Sequence, residues 1–205
     1  MKTIIKPISG LFIAAMLGAC SNNPDKSVKS LDTIALDTSV SIEAQKIEAS
    51  DTSLLLSPGI GAGKVLIGQD AEQVYKELGK PDDGDAAMQK AVAIWYKDHD
   101  PKSYATSIYT VRDTGENPPA FVRQIRVTSP AFKTQDGIGV SSSLKEIKEK
   151  YQVSKLEVAS GGGITMSIYD SLKGIAFEMD DHDICSGIII HTDNEALKPS
   201  YLPLR

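Results

Sequence analysis

Laid on itself with an offset of 73 residues, the chain repeats its own pattern. Ile67 falls on Val140, Asp70 on Ser143, Gln73 on Glu146, Val74 on Ile147, Leu78 on Tyr151 and Tyr96 on Tyr169. Towards the end of each copy the offset shortens to 63, which pairs Ile125 with Ile188 and Val127 with Ile190. The first copy must therefore hold the longer connections, expected around Asp98–Pro101 and Thr114–Pro119. A period of this kind marks one supersecondary unit used twice.

Each copy opens with a helix signal. Asp70-x-x-Gln73 and Ser143-x-x-Glu146 both have the residues of a capping box, in which a short polar side chain accepts a backbone N–H and the third-next side chain reaches back. Apolar residues then recur at helical spacing: Ala71, Val74 and Leu78 in one copy, Leu144, Ile147 and Tyr151 in the other. Gly79 and Pro81 stop the first helix. Three strands are expected next in each copy, over 90–97, 106–112 and 120–128, then 163–169, 173–179 and 184–191. The turn Asp180-Asp181-His182-Asp183 joins the last two as a hairpin.

Side chains alternate along a strand, so parity assigns faces. Ala91, Ala93 and Trp95, matched with Ile164, Met166 and Ile168, are expected to meet the helices. Ile125, Val127, Ile188 and Ile190 join them on the core side. The opposite face would carry Val92, Ile94 and Tyr96 against Thr165, Ser167 and Tyr169, together with Gln124, Arg126, Gly187, Ile189 and His191. The expected fold class is thus α+β: two tandem helix-β-β-β units with antiparallel sheets and the helices packed on one face. The expected division is a signal segment over 1–19, an anchored N-terminus and flexible tether over 20–57, and the two units over 58–132 and 133–205. The tether reading rests on a stretch dominated by Ser, Thr, Asn, Asp, Glu and Lys with no aromatic residue, too polar to offset its own ordering entropy. Val40 and Ile42 alternate with serine there, which leaves room for a short strand docked on the domain.

The first 20 residues give an address. Lys2 and Lys6 precede an apolar run from Ile8 to Ala19, and small residues lead to Cys20. The run holds about 12 residues where a membrane span needs about 20, so a cleaved secretory signal is the better fit. The ending Leu17-Gly18-Ala19-Cys20 resembles the lipobox of bacterial lipoproteins. That resemblance implies diacylglycerol on the Cys20 sulfur, removal of residues 1–19 and anchoring in a membrane, with Ser21 in the following position fitting delivery to the outer membrane. Without residues 1–19 there remain 20 basic and 27 acidic residues, an acidic balance that argues against nucleic acid as a partner. With Cys20 acylated, Cys185 is the remaining thiol, so neither an internal disulfide nor a cysteine-based zinc site can form.

Motifs for chemistry are sparse. Gly59-Ile60-Gly61-Ala62-Gly63-Lys64 misses the phosphate-loop spacing by one residue, and Val65 stands where Ser or Thr would hold magnesium. The Asp180–Asp183 cluster fits no calcium loop and is expected to be a charged turn. His99, between Asp98 and Asp100, has the same reading. No catalytic residue, metal site or cofactor is expected. Cys185 is placed in a strand as a small core residue.

Tyr96 and Tyr169 stand out as candidates for contact with another protein, because tyrosine joins a large apolar body to a polar tip. They could equally pack the edge of the sheet or the joint between units. Gln124, Arg126 and His191 share their expected face. The pattern Ile67-Gly68-x-x-x-Glu72-x-Val74-x-x-x-Leu78-Gly79-x-Pro81 before a meander resembles the SmpA/OmlA lipoproteins of the outer-membrane β-barrel assembly machinery. The tandem copy resembles the β-lactamase inhibitor protein, whose two helix-and-sheet units form a concave protein-binding surface. The second copy departs from the pattern, with Ser141 and Gln152 where glycines are expected. These resemblances imply modules that bind proteins and catalyse nothing. The expected function is a lipid-anchored envelope protein that holds another envelope protein. The alternative is a small-ligand-binding or enzymatic lipoprotein with a pocket between the units.

Overall fold

A computed structural model describes residues 52–158 and 166–198. Cys20, the signal and nearly all of the tether, and Ile164 and Thr165, lie outside the described residues. The described chain runs β1 (Leu55–Ser57), β2 (Gly61–Ala62), β3 (Val65–Leu66), α1 (Ala71–Leu78), β4 (Asp83–Ala87), β5 (Lys90–Tyr96), β6 (Ala105–Arg112) and β7 (Ala120–Val127). It continues through β8 (Lys133–Thr134), α2 (Leu144–Lys150), β9 (Ser154–Val158), β10 (Met166–Ser171), β11 (Ile175–Met179) and β12 (Cys185–His191).

The expected fold class requires correction. The protein is mainly β: an antiparallel sheet ordered β4-β5-β6-β7-β12-β11-β10-β9, and a small sheet ordered β3-β2-β1-β8. The helices have 8 and 7 residues, or roughly 12 Å of length. Eight strands spaced about 4.8 Å apart are close to three times as wide, so two such helices cannot form a layer over the sheet. The centre of the helix side is covered instead by the small sheet, where Leu56, Ala62 and Val65 join the main core with Ile125, Val127, Ile188 and Ile190. Val74 of α1 and Leu144 and Ile147 of α2 extend the same core. Leu55–Ser57, which composition places at the end of the tether, thus form a strand with a fully buried Leu56.

Each meander has four strands, not three. The unexpected strands are the outer edges. β4 reads Asp-Gly-Asp-Ala-Ala and all five residues are exposed; β9 reads Ser-Lys-Leu-Glu-Val. An edge strand with little to bury shows no apolar alternation. β4 is also protected against pairing with other chains: Asp83 Oδ1 accepts the Gly84 N–H and Asp85 Oδ1 accepts the Ala86 N–H, each at 2.8 Å.

Local signals explain the helix ends. Ser143 and Glu146 form the reciprocal capping box. Asp70 caps α1 through the Glu72 N–H at 2.7 Å, without the return bond expected from Gln73. Gly79 closes α1 at φ 80°, a conformation that favours glycine. The two meanders meet through β7 and β12, with Ile125 opposite Ile190 and Val127 opposite Ile188. Under the 63-residue offset this register is symmetric about Arg126 and Ile189.

Candidate functional site

The face of the large sheet turned away from the helices is where sequence parity places the candidate residues. One row across it runs Ile94, Ser107, Arg126, Ile189, Ala176, Asp170; the next runs Val92, Tyr109, Gln124, His191. Gln124, Arg126 and His191 do lie on this face, but all three are buried. They are engaged inside the protein.

Arg126 reaches across β12 to Glu178 on β11. Its Nε donates to both carboxylate oxygens at 2.9 Å, and Nη2 donates to Oε2 at 2.7 Å. Gly187 makes the crossing possible: a Cβ there would stand 2.2 Å from Glu178 Oε2. His191 forms the second buried pair. Its Nε2 is 2.9 Å from Asp170 Oδ1 and its Nδ1 is 2.9 Å from the Thr192 carbonyl oxygen. Both partners are acceptors, so both contacts are hydrogen bonds when the ring carries two protons. Asp170 Oδ2 also accepts the Leu197 N–H at 2.9 Å, and Gln124 Nε2 donates to the Lys198 carbonyl at 2.6 Å. Among the described residues, every buried side-chain nitrogen and oxygen has a partner. This closed set of bonds fixes the sheet and the segment after His191.

The two tyrosines do not share a face, which corrects the expected pairing. Tyr96 packs with Val92, Ile94, Ala105 and Tyr109 on the far face. Tyr169 packs into the helix-side core, with Lys148 Nζ 5.3 Å from its ring centroid. Ile168 takes the far face in its place, beside Ala176, Ile189 and Leu197. The offset at these strands is 74, not 73, and one residue of slip inverts a strand. The true counterpart of Tyr169 is Trp95, which meets Tyr75 of α1 at 5.9 Å between centroids and donates from Nε1 to the Gly79 carbonyl at 3.1 Å.

Other candidates resolve into local structure. Asp180 Oδ1 accepts the N–H groups of His182 and Ile184 at 2.9 and 2.8 Å. Those bonds, Ile184 first, hold its carboxyl below the ordinary carboxylate range. Asp180, Asp181 and His182 bring their ligand atoms within 4.8 Å of one another, all exposed. His99 pairs not with its neighbours but with Asp82, Nδ1 to Oδ1 at 2.6 Å. The Tyr96 N–H and this histidine together keep Asp82 below the usual range.

Cys185 is buried and donates to the Gly187 carbonyl at 3.3 Å; burial pushes its thiol up to about 12. The neutral thiol is the form the fold favours, so its contribution is intact below about 9 and is lost as pH rises towards 12. At neutral pH, Ellman's reagent is expected to leave Cys185 unlabelled in the native protein and to react fully after denaturation. Fast native labelling would show that the site opens.

Sequence reasoning missed one surface. An open cleft of about 880 Å³ lies between α1 and the β4–β5 hairpin, lined by Tyr75, Ala86, Met88, Ala91 and Pro119 among others. At the hairpin tip Met88 and Gln89 have φ of 50° and 65°, and Met88 is 92% exposed. Turns of this kind favour asparagine and glycine, so Met88-Gln89 carries no turn signal.

No family model and no curated protein matches this chain. Among solved structures, an extracellular protein containing a SCP domain from Bacillus anthracis str. Ames matches at TM-score 0.38 and 13% identity. The match covers 67% of this chain and 50% of that one, so the chain spans half the length of this neighbour. Among the described residues no helix is long and apolar enough to cross a membrane.

Proposed function

We propose that this chain is a lipid-anchored protein of the bacterial envelope, most simply at the outer membrane, that holds another envelope protein and performs no catalysis. The N-terminal pattern ending in Cys20 supports the anchor. The observation that carries the binding role is the β4–β5 tip. A methionine stands almost fully in solvent there, on two consecutive non-glycine residues in the left-handed region, beside an open cleft walled by Tyr75 and small apolar residues. Left-handed non-glycine residues cost on the order of 1 kcal/mol or more each. A conformation held at that cost, and a flexible apolar side chain offered to solvent, fit a contact surface. Gln124, Arg126 and His191 serve this reading as scaffold, since their polar groups are already bonded inside the protein.

Two experiments test it. Replacing Met88-Gln89 with Asn-Gly is expected to raise the unfolding free energy by about 1–2 kcal/mol while reducing in-cell crosslinking to the partner by at least tenfold. Unchanged capture would remove the tip from the interface. Cys20→Ser is expected to abolish incorporation of labelled palmitate and to move the protein from the membrane pellet to the soluble fraction.

A further inference from the structure

We infer that the cleft where the two meanders meet on the far face binds a phosphate monoester, gripped by Arg123 and Lys198, a role separate from the proposed partner contact.

Arg123 owes its place to an irregularity in the sheet. Between β6 and β7, Tyr109 stands opposite Gln124 but Thr110 stands opposite Val122, so Arg123 is an extra residue of β7. Val122 and Ile125 both belong to the main core. Plain alternation would send residues three apart to opposite faces. The extra residue absorbs the conflict by turning two consecutive side chains, Arg123 and Gln124, to the far face, where both line one cleft. Bulges re-aim side chains in this way and gather beside functional sites. Gln124 is buried and Arg123 is exposed. Gln124 has a task of its own: its Nε2 donates to the Lys198 carbonyl at 2.6 Å, which fixes the Lys198 backbone at the same cleft.

The cleft has a volume of about 650 Å³, inside the range of roughly 300–1,000 Å³ usual for small-molecule sites. It spans the seam. β5, β6 and β7 supply one side, and the end of β12 with residues 192–198 supplies the other. Among the described residues that line it, Lys90, Arg123 and Lys198 are basic and Glu195 is the one acid. His191 also lines it, but its ring is already engaged by Asp170 and the Thr192 carbonyl. A chain of net charge −5 has thus gathered an excess of cations in one place. Lys198 Nζ lies 2.9 Å from Glu195 Oε2. That bond, with the charge of Arg123, holds the Glu195 carboxyl below the ordinary carboxylate range.

These features select the ligand. A guanidinium presents a planar fork that matches the oxygens of phosphate or carboxylate. A phosphate monoester carries about −1.5 to −2 charges at neutral pH, a better match to an excess of cations than the single charge of a carboxylate. Val111 and Ala196 offer apolar wall to the organic part of the ester. Glu195 keeps Lys198 at the cleft and competes with the phosphate for it.

The test titrates phenyl phosphate into the full chain and follows amide NMR shifts. Saturable shifts are expected at Arg123, Gln124, Thr192 and Lys198, with affinity falling steeply between about 0.05 and 0.5 M salt. Arg123→Ala should weaken binding by about tenfold or more, and Arg123→Lys, which keeps the charge without the fork, by about threefold. Lys198→Ala should weaken it several-fold. Glu195→Gln should tighten it several-fold, a gain that no folding defect imitates. Shifts that do not saturate, shifts gathered elsewhere, or equal affinity in Arg123→Ala overturn the inference, and so does benzoate binding as tightly as phenyl phosphate. Competition then separates the sources of the phosphate. Stronger displacement by glycerol 3-phosphate supports a soluble ester, and stronger displacement by dioctanoyl phosphatidate supports a lipid headgroup; displacement by neither overturns the inference.

Discussion

Glu178→Ala is expected to lower the unfolding free energy by about 3–5 kcal/mol, a large share of the stability of an ordinary domain. The lost contact is not the main reason. The substitution takes the Glu178 carboxylate away from the Arg126 guanidinium on the buried face, where three N–H···O contacts of 2.7–2.9 Å now join the two. Replacing both partners removes the charge problem instead of exposing it. Arg126→Met with Glu178→Met should therefore return to the native level or exceed it by about 1–4 kcal/mol. Urea unfolding of the three proteins decides the matter. A single-substitution cost below about 1 kcal/mol would show that water reaches the pair and that the far face is open. Gly187→Ala belongs to the same series, because its methyl group would enter the space of the Glu178 carboxylate.

The pattern of the sequence carried the strands that alternate and lost those that do not. β5, β6, β7 and β12 fall within two residues of the expected spans because each has apolar side chains on the core face. β4 and β9 are sheet edges, and β4 has nothing buried to reveal it. The small sheet is built from strands of two or three residues, too short for any periodicity, yet it places Leu56 in the core. Overlooking it assigned its covering role to the helices and produced the wrong fold class. Parity placed Arg126, Gln124 and His191 on their correct face but could not say that they were occupied. The partners of Arg126 and His191, Glu178 and Asp170, are 52 and 21 residues away in sequence. One signal was present. Glu178 interrupts the apolar run Ile175–Met179, all of it buried, and a carboxylate in such a run requires a cation. Tyr169 shows the opposite hazard: its similarity to Tyr96 was true of the residue type and false of the face, because the better counterpart was Trp95.

Asp170→Ala should cost about 1–3 kcal/mol for each buried donor it leaves without an acceptor, but its rescue should fail where that of Glu178 succeeds. Asp170 serves two donors, the His191 ring through Oδ1 and the Leu197 backbone N–H through Oδ2. Changing His191 and Asp170 together to leucine removes the ring and the carboxylate together. It cannot remove the Leu197 amide, which stays buried without an acceptor at a cost of about 1–3 kcal/mol. The double variant should therefore remain below the native protein by about that amount. The deficit should be local: hydrogen exchange at Leu197 and its neighbours should quicken while amides in β7 and β12 keep their protection relative to global unfolding. Asp170→Asn separates the two duties, since one amide oxygen can still accept from Leu197 while the amide nitrogen replaces the carboxylate oxygen that faces the His191 ring. Slow exchange at Leu197 in that variant, together with lowered global stability, would locate the fastening of the segment after His191 in the backbone bond and the larger energy in the His191–Asp170 contact. Full recovery by the double leucine variant would mean that the Leu197 amide is wet and that its bond to Asp170 contributes nothing to stability.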